Sequence, residues 1–285
     1  SQSPPQRAEI VAVSYSWLTQ GHPDPYGEQL MTLAHVVERF LEARKGVDVA
    51  IFIDWCSLYQ APRSPEQQMA FVRALRHVGA WYASQESSKW MLTSLPDGWD
   101  VLPYHTRGWP TFEWAIAQLG ANLGRVLDLA KLDGKRCPDW ACLVETCALP
   151  TRGPPLEPAA FAEKLAKKVF GDESDRSLVA SEYRLAFQNS LGAAESLDFS
   201  FLSWGDAEVQ QLTEVLPHCA CLKRLFLSWN KVGDGGAHEL AAALPKCGRL
   251  ERLALAGNPI SDSGRACLRL AWRLAEKPHE QLDLW

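Results

Sequence analysis

Leu222-Lys223-Arg224-Leu225-Phe226-Leu227-Ser228-Trp229-Asn230 and Leu250-Glu251-Arg252-Leu253-Ala254-Leu255-Ala256-Gly257-Asn258 are one phrase written twice, 28 residues apart. Leucine stands at the first, fourth and sixth places of each, and asparagine at the ninth. Shorter versions, Glu195-Ser196-Leu197-Asp198-Phe199 and Glu280-Gln281-Leu282-Asp283-Leu284, extend the pattern in both directions. The central leucines therefore fall at 197, 225, 253 and 282, in steps of 28, 28 and 29 residues. A fixed period of this length marks a solenoid, in which each unit buries its apolar edge against the next. The leucines point inward from a short strand. The asparagine side chain, donor and acceptor at once, suits a bend where no neighbouring strand serves the backbone.

A helix is expected after each bend. Gly233-Asp234-Gly235-Gly236 leads to Leu240 and Leu244, Ser261-Asp262-Ser263-Gly264 leads to Leu268 and Trp272, and Gly205-Asp206 leads to Leu212 and Leu216. Apolar residues four apart, with Asp or Ser at the start, follow the ordinary rules of helix formation. The phrase and the unit length resemble the ribonuclease-inhibitor type of leucine-rich repeat, over residues 195–285. The first copy departs from it, since Leu202 stands where Asn230 and Asn258 stand. Helical stretches with Phe161, Leu165 and Val169, then Tyr183, Leu185 and Phe187, are expected to cap that end. The outward strand positions are Arg224, Phe226 and Ser228, then Arg252, Ala254 and Ala256. Arg224, Phe226, Ser228 and Arg252 are the candidate contacts for a protein partner. Phe226 is the best anchor among them, although packing on a neighbouring element explains it equally well.

Upstream, short β-branched runs alternate with amphipathic stretches. Residues 9–14, 47–53, 89–93 and 125–129 read as strands, and residues 29–44 as a helix. A capping box from Ser64 to Gln67 opens a further helix, and Pro110 begins another. Such alternation implies a parallel sheet of at least four strands covered on both faces. Ligands of open sheets sit beyond the C-terminal strand ends. Those ends deliver Ser14, Tyr15 and Trp17, then Asp54, Trp55 and Cys56, then Ser94.

The motifs Val13-Ser14-Tyr15-Ser16-Trp17, Ile53-Asp54-Trp55-Cys56-Ser57-Leu58-Tyr59-Gln60 and Arg107-Gly108-Trp109-Pro110-Thr111-Phe112-Glu113 resemble, in this order, those of the heterokaryon-incompatibility (HET) domain. HET domains are in turn similar to Toll/interleukin-1 receptor (TIR) domains, which have a flavodoxin-like sheet. Tyr59 replaces the family's Asn, Cys56 is displaced by one position, Phe112 stands where Gln is usual, and no glycine follows Trp17. The resemblance covers about residues 8–130. In TIR domains that cleave NAD the key residue is a glutamate four after a tryptophan, the spacing of Trp109 and Glu113. A carboxylate there stabilises an oxocarbenium-like transition state. By the same resemblance Ser14, Tyr15, Trp17, Asp54, Trp55, Arg107 and Trp109 would bind the nucleotide, with NAD as substrate and no cofactor. A purely structural reading stands beside this: Glu113 in the first turn of its helix is favoured by the dipole, and Trp109 fits as a core plug.

Composition narrows the function classes. A hydrophobic content of 47% fits a folded chain, and a net charge of −5 gives no electrostatic footprint for nucleic acid. No apolar run reaches the ~18 residues of a membrane span. The eight cysteines match no zinc pattern and no convincing disulfide framework, even with Cys137, Cys142 and Cys147 evenly spaced. Cytosolic thiols and no metal are the expectation. Residues 1–7 carry neither a signal peptide nor an initiator Met, so the chain reads as a piece of something longer.

The expected fold is α/β: a flavodoxin-like parallel sheet of TIR/HET type (8–135), a Pro-rich linker with a helical segment (136–190), and a short α/β leucine-rich-repeat solenoid (191–285). The expected role is signalling or defence-type recognition, with the repeats binding a protein and the sheet domain self-associating or acting as effector. NAD cleavage by Glu113 and a non-catalytic scaffold are the alternatives.

Overall fold

The computed structural model describes residues 8–119 and 123–285. The reading of residues 1–7 lies outside them. The chain is α/β with two parallel four-stranded sheets, and it divides into two compact units. One comprises residues up to Leu149 together with Lys164–Tyr183. The other comprises Pro150–Glu163 and Arg184–Trp285.

In the first unit, β1 (Glu9–Tyr15), α1 (Glu28–Ala43), β2 (Val49–Phe52), the single turn α2 (Asp54–Ser57), α3 (Pro65–Leu75), α4 (Val78–Ala83), β3 (Ser88–Leu92), α5 (Gly108–Ala117), β4 (Val126–Asp128) and α6 (Trp140–Cys147) follow one another. The strand order is β2-β1-β3-β4, and every pairing is parallel. Side chains alternate between the faces. Val11, Val13, Trp90, Leu92 and Leu127 share one core with Leu33, Val36 and Phe40 of α1 and with Leu143 and Cys147 of α6. Ser14 and Met91 face the other way, toward α4 and α5, where the Tyr82 hydroxyl donates to the Val13 carbonyl at 2.8 Å. The outer edge of β4 is covered by an antiparallel bridge from Leu127 to Ala148.

Several boundaries differ from the sequence reading. The predicted capping box at Ser64 is formed, with Pro65 in the first turn. Helix α5, however, begins at Gly108 rather than at Pro110. Pro110 is tolerated there because the first N–H groups of a helix have no internal partner. Gly108 is needed for space, since a Cβ would fall 2.0 Å from the Phe170 ring. Residues 136–149 join the sheet unit through α6, a helix that the sequence reading merged into the linker.

Two helices follow, α7 (Pro158–Ala166) and α8 (Asp175–Phe187). Phe161, Leu165, Tyr183 and Phe187 are buried, but Val169 and Leu185 are exposed. Val169 instead bridges to Arg107 through its backbone.

The repeat unit runs β5 (Ser196–Asp198), α9 (Asp206–Val215), β6 (Arg224–Phe226), α10 (Asp234–Ala243), β7 (Arg252–Ala254), α11 (Asp262–Leu274) and β8 (Leu282–Asp283). The strands stack in sequence order, and Leu197, Leu225, Leu253 and Leu282 stand in register. Asn230 and Asn258 are buried at 6% and 8% exposure. The Asn230 Oδ1 accepts from the Leu202 and Trp204 amides at 2.9 and 3.0 Å, and its Nδ2 donates to the Phe199 and Leu227 carbonyls. Asn258 accepts from Val232 and donates to Leu227 and Leu255. A second ladder joins the helix starts. Asp206 accepts from the Gly233 amide, and Asp234 from the amide and hydroxyl of Ser261. Glycine follows where the aspartate passes, for a Cβ on Gly264 would sit 2.4 Å from Asp234.

The Pro-rich segment does not hang free. Arg152 is buried with its guanidinium 4.9 Å from the Phe199 ring, Trp204 donates to its carbonyl, and Gln211 donates to the carbonyls of Pro154 and Pro155. The segment covers the open side of the first repeat, where the asparagine is missing.

Asn230→Ala should cost about 1–3 kcal/mol, because two amides and two carbonyls lose their partner together. Hydrogen exchange should show the Leu202 and Trp204 amides losing protection. Unchanged protection at both would mean that water replaces the side chain at no cost.

Candidate functional site

The strand order changes direction at β1, so the crevice of an open sheet lies beyond the C-terminal ends of β1 and β3. Ser14 and Tyr15 pair there with Met91 and Leu92. Because successive side chains of a strand point to opposite faces, Ser14 and Tyr15 start two different clusters.

Ser14 donates to Glu113 of α5 and is 2.5 Å from the Tyr104 hydroxyl. With Ser14 donating to the carboxyl, Tyr104 supplies the proton of its own bond, and a chain Tyr104–Ser14–Glu113 results. Burial, the largest influence, pushes the Glu113 carboxyl well above the usual carboxylate range. The Ser14 hydroxyl opposes that shift and the Asp54 charge adds to it. Burial likewise raises Tyr104, which stays a neutral phenol. Glu113 is the sixth residue of α5, beyond the first turn, so the helix dipole does not account for it. Its partner is the serine.

Tyr15 begins the second cluster. Its hydroxyl donates to Asp54 Oδ1 at 2.5 Å, the Trp17 indole to Oδ2 at 3.0 Å, and the Trp55 amide to Oδ1 at 2.6 Å. Burial and then the Asp54 charge raise the Tyr15 phenol far out of the physiological range. The Trp17 and Trp55 rings meet edge to face, 5.2 Å apart. Gln60 donates to the Leu58 and Trp55 carbonyls and holds the turn that presents Asp54. Arg107 donates to the Trp17 and Leu102 carbonyls, and burial lowers its guanidinium. It is not the counter-ion of Glu113.

Ser14 and Glu113 therefore meet directly. Tyr15, Trp17, Asp54, Trp55 and Arg107 gather beside them. Trp109 does not join them: its indole donates to Asp175 at 2.8 Å and its ring rests against Phe112. Tyr104 was missed by the sequence reading, and its place three residues before Arg107 was the sole available signal. Cys56 and Ser94 are exposed.

The outward strand positions of the repeats form a second candidate surface. Arg224 and Arg252 are exposed neighbours in register, and Phe226 is half-buried with the Arg252 guanidinium 5.6 Å from its ring. Ser228 is partly exposed. Ala254, expected to face solvent, is 3% exposed, because its methyl lies between the longer side chains of its register neighbours Phe226 and Asp283. At the strand ends Phe201, Trp229 and Gly257 occupy equivalent places, all with left-handed backbone, φ 60°, 56° and 71°. For residues other than glycine that conformation costs about 1–2 kcal/mol each.

The family model described as Leucine Rich repeat matches residues 218–241 and 250–268. Leucine-rich repeats thus occupy 218–268, and repeats of this kind serve protein–protein interaction. No curated protein matches the chain. Among the described residues no helix is long and apolar enough to cross a membrane.

The Glu113 shift predicts a pH dependence. The fold favours the protonated carboxyl, so its contribution is complete below the usual carboxylate range and is lost as pH rises through the elevated value. Glu113→Gln removes this titration. The variant should therefore gain thermal stability relative to wild type as pH is raised from 5 toward 8. Melting curves that stay parallel over that window would show a carboxyl already ionised in the fold.

Proposed function

We propose that this chain is a recognition protein whose repeats take a protein partner on the outward strand face, through Arg224, Phe226, Ser228 and Arg252. The observation that carries the reading is the in-register pair Arg224 and Arg252 beside a half-buried phenylalanine. Like charges opposed across a parallel ladder destabilise it, and among the described residues no ion pair is seen for either. An acidic partner surface would relieve the repulsion, and Phe226 would give it an anchor.

The sheet unit then serves as effector, by self-association or by chemistry. The strand order β2-β1-β3-β4 matches the first four strands of the flavodoxin-like order. With the three HET-like motifs, it supports a TIR/HET-like domain. NAD cleavage is the second reading, favoured by the meeting of Ser14 and Glu113 at the sheet's crevice. Glu113 would have to ionise to stabilise a cationic transition state. A scaffold without chemistry is the remaining alternative.

Phe226→Ala and Arg252→Glu should each weaken partner capture at least tenfold, or ~1.4 kcal/mol. Affinity purification with quantitative mass spectrometry compares them with wild type, and identical captured sets would sink the reading. For the second reading, concentrated wild-type protein should release nicotinamide from NAD, faster as pH rises. Glu113→Gln should release none, and a wild type without activity at any pH leaves the effector role to self-association.

A further inference from the structure

The repeats carry a surface feature that their folding does not require. Along the strand, residues 225, 227 and 229 share one parity, and Leu225 and Leu227 are fully buried. Trp229 should follow them inward. Instead its left-handed backbone turns the indole out, leaving it 60% exposed. Phe201, one repeat earlier, does the same and is 68% exposed. The two rings are stacked 6.0 Å apart with 7° between their planes. In the next repeat the equivalent residue is Gly257, where a Cβ would fall 2.7 Å from the Trp229 ring. Glycine there lets the indole lie against the backbone, and a flat aromatic shelf is fixed in place. Burial does not explain these two aromatics, since most of their surface stays in water, and the left-handed backbone disfavours them.

The shelf follows the C-terminal ends of β5 and β6, and β6 begins with Arg224, in register with Arg252. Between Arg224 and the shelf stand the partly exposed Phe226 and Ser228, with the buried Ala254 and the partly exposed Ala256 in the next repeat. Trp229 is five residues beyond Arg224, so at about 3.3 Å per extended residue the two are separated by at most roughly 17 Å. We propose that this face binds an extended peptide segment of a partner, with an acidic residue at the arginine pair and a proline or aromatic residue on the Phe201–Trp229 shelf. The two determinants are then about four or five positions apart in the peptide. Charge complementarity selects the acidic end. The flat, prefixed rings suit a proline or aromatic ring at the other, because no side-chain freedom is lost on binding. The inference rests on the reading of the repeats as a partner-binding face, and it names the chemistry of what they take.

The test uses the full chain and fluorescein-labelled peptides. One carries an Asp-Glu pair spaced from a Pro-Trp pair by a Gly-Ser linker; in two controls, Lys replaces the acids or Gly-Ser replaces Pro-Trp. The two-ended peptide should bind, and each control should bind at least tenfold more weakly. Trp229→Gly preserves the left-handed backbone, as Gly257 does, so it should keep the melting temperature while lowering affinity at least tenfold. The double variant Arg224→Glu, Arg252→Glu should lose affinity for the acidic peptide and gain it for the lysine control. If Trp229→Gly binds as wild type does while the arginine variant fails, the shelf inference is overturned and the partner-binding face survives. If no peptide binds, or if chitotriose binds in a Trp229-dependent manner in their place, the peptide assignment is overturned. Binding that is indifferent to every variant removes the partner-binding face as well.

Discussion

Where a solenoid strand bends into its helix, the chain leaves the ladder of its neighbours, and its amides and carbonyls need partners in a place water does not reach. The side chains of Asn230 and Asn258 supply them, each bonding its own turn and the turn before it. The rest of the repeat unit follows from that requirement. A side chain that must reach back one turn fixes the period, the period aligns the leucines, and alignment lets Asp206 and Asp234 stitch successive helix starts. The first repeat, with Leu202 at this place, has its own cover in the Pro-rich segment.

The sheet unit is organised around two carboxyls in unlike surroundings. Asp54 accepts from a phenol, an indole and a backbone amide. Glu113 has one hydroxyl donor in a poorly hydrated place, which suits the protonated form. Here the same bonds hold together three separate stretches of chain, and that structural task is complete without any substrate.

The repeat phrase was legible because its signal is periodic: a leucine at 225 gains meaning from those at 197, 253 and 282. The parallel sheet was legible too, since buried strands read as short apolar runs and the motifs fell at their ends. The helix at 140–147 was not, because a stretch rich in Cys, Trp and Ala after Pro138 looks like a connection until the sheet needs its second cover. Ala254 was placed outside by strand parity, and the length of its neighbours' side chains decided otherwise. Tyr104 and the orientation of Trp109 depend on contacts with residues 90 and 66 positions away, and no local pattern encodes those. Phe201 and Trp229 have the inward parity, and only the backbone angle reveals that they face out.

The aspartate stitch has a consequence for how such a chain can change length. Asp206 bonds forward to Gly233, and Asp234 bonds forward to Ser261, 27 residues on in each case. Every internal unit thus presents on its leading side the acceptor that its trailing side must meet. A duplicated unit spliced between the helices at 206 and 234 finds both halves of the join already written, with its asparagine in step. The turn after α11 is different: there the Lys277 ammonium donates to the carbonyls of Cys247 and Leu250. Growth by copying is therefore open in the middle of the array.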